Sequence, residues 1–118
     1  MLPKKFRLSR QEFKDVMKDG QMTSGRLMGI LILRTKDEGR RTKELPKAGI
    51  IVSKKLSNKA VIRNKLKRRL RAALQGILPE IHSEPHLVVL PNRRAFNASV
   101  SELTENIRDV LKLEDGNS

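Results

Sequence analysis

Residues 48–78 read AGIIVSKKLSNKAVIRNKLKRRLRAALQGIL, and this stretch decides both the layout and the charge of the chain. It opens on an apolar run, Ala48 to Ser53, that reads as a buried strand. Ser57 and Asn58 then offer N-caps for a helix running to about Leu78, with Pro79 marking its end. At about 100° per residue, Ile62, Leu66, Leu70, Ala73, Leu74 and Ile77 fall within roughly 120° of one another and form the face to be buried. Asn64, Lys65, Lys67, Arg68 and Arg71 occupy the opposite side. Arg63 projects near the apolar edge, so its guanidinium must lean outward or make a specific contact. Downstream, Leu87 to Leu90 (LVVL), closed by Pro91, reads as another buried strand. Strand, helix and strand form a βαβ unit, so this strand is expected to run parallel to the one before the helix.

Upstream, Ser9-Arg10-Gln11-Glu12 is a capping box, with Leu8 and Phe13 placed as a hydrophobic staple. Phe13, Val16 and Met17 continue the helical spacing, and Gly20 stops the helix. Leu27 to Leu33 (LMGILIL) is a continuous apolar run and reads as a buried strand. The polar loop Lys36 to Pro46 joins it to the strand at Ala48, which makes the two most simply antiparallel neighbours. Gln21 to Ser24 adds a short edge strand. Ser99-Val100-Ser101-Glu102 is a second capping box, and Leu103, Ile107, Val110 and Leu111 extend it into a final helix. The expected architecture is one α+β domain over residues 1–113, in the order α-β-β-β-α-β-α. It has a mixed sheet with helices on one face and a frayed polar tail at 114–118.

The chain has 118 residues, with 26 Lys+Arg against 13 Asp+Glu, for a formal charge of +13. The excess is concentrated. Between Leu45 and Pro79 there is no Asp or Glu, and ten bases fall there. A solvated helix face usually mixes signs. An acid-free block repels itself and is easier to understand when a polyanion neutralises it. No cysteine is present, which removes disulfides, thiol catalysis and Cys-based zinc sites and fits a reducing, cytoplasmic location. No apolar run approaches the roughly 20 residues that span a bilayer, and the first residues lack a signal-peptide core. A membrane-surface helix is a second reading of the basic block, but its apolar face carries no aromatic anchor.

Catalytic groups are scarce. His82 and His86 are four apart, but Pro85 between them argues against a shared helix, so both read as exposed loop residues. No carboxylates converge as a two-metal nuclease requires. Asp37-Glu38 beside Arg40-Arg41 reads as solvated surface, and Gly25 and Gly29 fit no nucleotide fingerprint. No catalytic or metal-binding residue is expected.

The stretch Val52-Ser53-Lys54-Lys55, followed by Ala60-Val61-Ile62-Arg63-Asn64-x-x-Lys67-Arg68-x-x-Arg71, closely resembles the motif of the bacterial ribonuclease P protein subunit. Arg7-Leu8, Phe13 and Gly20-(x)5-Arg26 resemble its opening elements, and Leu87 to Pro91 followed by Arg93 its last strand. The resemblance implies an α/β sandwich with a left-handed βαβ crossover. It also implies a role in a ribonucleoprotein whose RNA uses Mg2+ to remove the 5′ leader of precursor tRNA. The partners it implies are ribonuclease P RNA and precursor tRNA, with no protein partner required. By the same resemblance, Lys54, Lys55, Arg63, Asn64, Lys65, Lys67, Arg68 and Arg71 dock on the catalytic RNA. Phe13, Met17, Arg26 and Leu31 line the leader cleft. Lys65 stands where the family often has Arg, Met17 where it has a second aromatic, and Leu31 where it often has Tyr. A small ribosomal RNA-binding protein is the alternative, which the Arg-Asn spacing disfavours.

Overall fold

Both capping boxes set helices where the sequence places them. The computed structural model describes residues 7–34, 47–80 and 85–115. The loop expected over residues 36–46, His82 and the last three residues of the tail lie outside them. The elements are α1 (Arg10–Asp19), β1 (Gln21–Ser24), β2 (Met28–Arg34), β3 (Lys47–Ile50), α2 (Ala60–Ile77), β4 (Pro85–Pro91) and α3 (Val100–Asp115). Short 3-10 helices occupy Leu78–Glu80 and Arg93–Asn97. The Glu12 N–H donates to Ser9 Oγ at 3.1 Å, and the Ser9 N–H returns the bond to Glu12 Oε1 at 2.8 Å. Ser99 and Glu102 repeat the arrangement at α3, with bonds of 3.2 and 3.0 Å. α3 stays helical through Asp115, so Glu114 and Asp115 belong to the helix rather than to a tail.

Four strands form one mixed sheet in the order β1-β2-β4-β3. β1 and β4 both pair antiparallel to β2, through Met22↔Leu31 and Ile30↔Val89. β3 runs parallel to β4, with Ala48 opposite Leu87 and Ile50 opposite Val89. The expected antiparallel pairing of β2 with β3 is therefore not made, because β4 lies between them. The reason lies in burial. Leu87, Val88 and Val89 are all fully buried, and a strand that is apolar on both faces gains most at the centre. β3 has only four residues and begins at Lys47, so it takes the edge.

Helices cover both faces of the sheet, not one. Ile30, Ile32, Leu87 and Val89 point into a large core with Leu66, Leu70 and Leu74 of α2 and Leu103, Ile107 and Val110 of α3. Their neighbours in sequence, Leu31 and Val88, meet Val16 of α1 on the other side, with Leu8, Phe13, Leu33, Ile51 and Leu90 partly buried around them. The continuous apolar run of β2 requires this, since both of its faces need cover.

α2 begins later than the sequence suggests. Its N-cap is Lys59, and no side chain caps it. Ser57 instead accepts the Lys59 N–H at 3.3 Å within the preceding turn. Ile62, assigned to the buried face, is 39% exposed, because α2 first meets the core at Leu66. His86 is not an exposed loop residue. It lies inside β4 and is 5% exposed, beneath α1.

Candidate nucleic-acid interface

The turn before α2 is held by its own hydroxyls. Ser53 accepts the Lys55 N–H on its side chain at 3.0 Å and the Leu56 N–H on its carbonyl at 3.1 Å, which leaves Lys54 and Lys55 exposed. Arg63 makes the specific contact that its position at the apolar edge demands, with Nη1 donating to the Ser57 carbonyl at 2.8 Å. The remaining guanidinium N–H donors keep their capacity for an anion. No side-chain hydrogen bond or ion pair ties Asn64, Lys65, Lys67, Arg68 or Arg71 to another described residue. Asn64, Lys65 and Arg68 are exposed, and Lys67 and Arg71 are half-buried. No acid stands in the first turn of α2, so the positive end of the helix dipole adds to the cations.

Not all bases of the acid-free block belong to this surface. Arg69 Nη1 donates to the carbonyls of Phe96 and Ala98 at 3.0 and 3.5 Å, fastening α2 to the chain entering α3. Lys47 pairs with Glu12 of α1 at 3.0 Å. Burial pushes the Glu12 carboxyl up, but hydrogen bonds from the Ser9 N–H and from Lys47 outweigh it and leave it below its ordinary value.

A groove of about 270 Å³ runs along the edge strand β3. Leu8, Phe13, Ala48, Gly49 and Ile50 supply its apolar lining, and Arg7, Lys67 and Arg71 its cations. Gly49 is what lets the ring lie there, since a Cβ at that position would come within 2.5 Å of Phe13 Cε2. Arg7 reaches the edge because it forms a single parallel bridge with Ala48. The groove thus brings Phe13 together with Lys67 and Arg71, which the family resemblance assigns to separate sites. Met17 is 45% exposed on α1 but does not line the groove. Leu31 is 9% exposed, packs with Val16 and Val88, and does not line the groove. Arg26 stands apart, near enough to Glu102 of α3 to help lower that carboxyl, whose main cause is hydrogen bonding from Ser99. Gly49 carries the one sequence signal for the groove, an isolated glycine inside an apolar strand. Arg69 and Lys47 carry none, because their partners lie 27 and 35 residues away.

The family model described as Ribonuclease P matches residues 2–114. The chain is 32% identical over 109 residues to the ribonuclease P protein component of Carboxydothermus hydrogenoformans, a match that spans 92% of this chain and 90% of that protein. It is 36% identical over 112 residues to the corresponding protein of Acidothermus cellulolyticus, spanning 94% and 89%. Among solved structures, it is similar in fold to a mutant of the Staphylococcus aureus RNase P protein, with a TM-score of 0.75 at 24% identity over 93% of this chain and 88% of that one. The RNase P protein from Thermotoga maritima gives a TM-score of 0.72 at 24% identity over 91% and 96%.

Proposed function

The chain belongs to the ribonuclease P family, and from that premise we propose that it binds a catalytic RNA and the single-stranded 5′ leader of precursor tRNA, promoting removal of the leader. The observation that carries the leader assignment is the groove in which Phe13 meets Lys67 and Arg71. At about 270 Å³ it lies just under the ~300–1,000 Å³ of small-molecule pockets and suits one unit of a polymer. A base stacks on the ring, an interaction worth about 1–3 kcal/mol, while the two cations hold the adjoining phosphates. Lys67 and Arg71 thereby move from the docking set to the leader set. Arg63, Asn64, Lys65 and Arg68, with Lys54 and Lys55 beside them, remain for the catalytic RNA. Arg forks take phosphate oxygens in pairs, and Asn both donates and accepts toward sugar or base edges.

Hydrolysis belongs to the RNA in this reading, and Mg2+ supplies the metal chemistry there. Among the described residues no group of three His, Asp or Glu side chains could hold a metal ion. The protein acts by neutralising phosphate, so that RNA and substrate associate with less Mg2+. The proposal places this work in the cytoplasm and needs no protein partner. Among the described residues no helix is long and apolar enough to cross a membrane.

The test is cleavage of 5′-labelled precursor tRNA at low Mg2+ by the catalytic RNA of the same organism, by the protein, and by the two together. The proposal expects release of the leader with both, little with the RNA alone and none with the protein alone. RNA binding without stimulation of cleavage would remove the tRNA-processing role.

A further inference from the structure

Glu12 holds more partners than a helix cap needs. It stands in the first turn of α1, where Oε1 accepts the Ser9 N–H at 2.8 Å. The Lys47 ammonium lies 3.3 Å from Oε1 and 3.0 Å from Oε2. Oε2 is also 3.8 Å from Nε2 of His86, a buried atom with no hydrogen bond to any described residue. Lys47 and His86 are partners in the parallel register of β3 and β4. One carboxylate therefore ties the start of α1 to the edge strand and faces the strand inside it.

That tether matters because α1 has few other fastenings among the described residues. Val16 is its single buried residue. Phe13 follows Glu12 directly and lies against Gly49, two residues along β3 from Lys47. Apolar contact is tolerant of small slides, whereas a charged pair fixes distance and direction. The pair thus sets where the ring sits over the edge strand.

We propose that Glu12, acting through Lys47, is a positioning residue for the groove: it holds α1 at the height at which Phe13 receives a base, without touching RNA itself. The inference rests on reading the groove as the leader site.

The experiment uses the protein assembled with its catalytic RNA and compares E12Q, K47Q, the double variant and K47R. Glutamine keeps an oxygen for the Ser9 N–H, so the cap survives while the ion pair with Lys47 is lost; K47Q removes the same pair and leaves the oxygen facing His86 in place. Three quantities are measured: the ratio of precursor to mature tRNA affinity, the affinity for the catalytic RNA, and the thermal midpoint. The inference expects each single Gln variant to lower the ratio about threefold to tenfold, and the double variant to do no more than the worse single. K47R should retain the ratio, and affinity for the catalytic RNA should not move. A ratio lowered by K47Q but not by E12Q would assign Lys47 to RNA directly and overturn the inference. So would effects that multiply in the double variant, or an E12Q that shifts only the thermal midpoint. A wild-type ratio of one would overturn the leader reading itself, a different result from any of these.

Discussion

The two faces of the sheet are covered to different depths. On one, α2 buries Leu66, Leu70, Ala73, Leu74 and Ile77, and α3 adds Leu103, Ile107 and Val110. On the other, α1 buries Val16 alone and leaves Phe13 and Leu8 half-covered. The deep face supplies stability and anchors α2, whose outer side carries cations that no acid among the described residues neutralises. The thin face leaves apolar surface within reach of water at the β3 edge, where Lys67 and Arg71 of α2 stand beside it and a ligand can complete the cover.

The contrast breaks first, if it is wrong, on core truncation. Leu70→Ala should cost about 2–5 kcal/mol in urea unfolding, against about 1.5 kcal/mol for Val16→Ala. Equal losses would mean that the faces share the load. Within α2, Arg69 and Arg68 sharpen the same division. Arg69→Ala strands the carbonyls of Phe96 and Ala98 and should cost about 1–3 kcal/mol. Arg68→Ala should leave stability within about 0.5 kcal/mol while lowering the salt slope of RNA binding by up to about one unit. An unchanged slope and affinity would remove Arg68 from the docking surface.

On the thin face, Phe13→Ala should lower affinity for precursor tRNA by about 1–3 kcal/mol and spare mature tRNA and the catalytic RNA. Equal loss for both tRNAs would make Phe13 a packing residue only. The smallest effect is that of pH. Both Glu12 and Glu102 are held below their ordinary values in the folded protein. Their contribution is therefore present above the unfolded value of about 4.3 and fades as pH falls through the lower folded one. The thermal midpoint should drop on acidification below that pH, and less so in an E12Q/E102Q variant. An equally steep drop in the variant would place the acid sensitivity elsewhere.

Local devices in this chain are legible from its sequence, and distant ones are not. Ser9-x-x-Glu12 and Ser99-x-x-Glu102 cap helices in the structure as the spacing implies, because every partner lies within one turn. The amphipathic arc of α2 holds from Leu66 onward for the same reason. Arg63 announces its contact by sitting at the edge of that arc. Strand order is different, since hydrophobic pattern marks β4 as buried but does not say between which strands. The groove is likewise a product of topology. Nothing in the spacing of Phe13, Gly49 and Lys67 shows that a parallel strand at the sheet edge brings them to one place. His86 shows the same limit from the other side, since Pro85 suggests a loop, whereas pairing with Leu33 and Lys47 sets it inside a strand.

The most direct test compares two neighbouring bases on α2, Lys67 and Arg68, in the assembled ribonucleoprotein. Affinities for precursor tRNA, mature tRNA and the catalytic RNA are measured for K67A and R68A. A groove that takes the leader predicts that K67A narrows the preference for precursor over mature tRNA and leaves docking on the catalytic RNA intact, while R68A does the reverse. If both variants weaken docking alike and preserve the preference, the two sides of the helix are one surface and the groove is not the leader site.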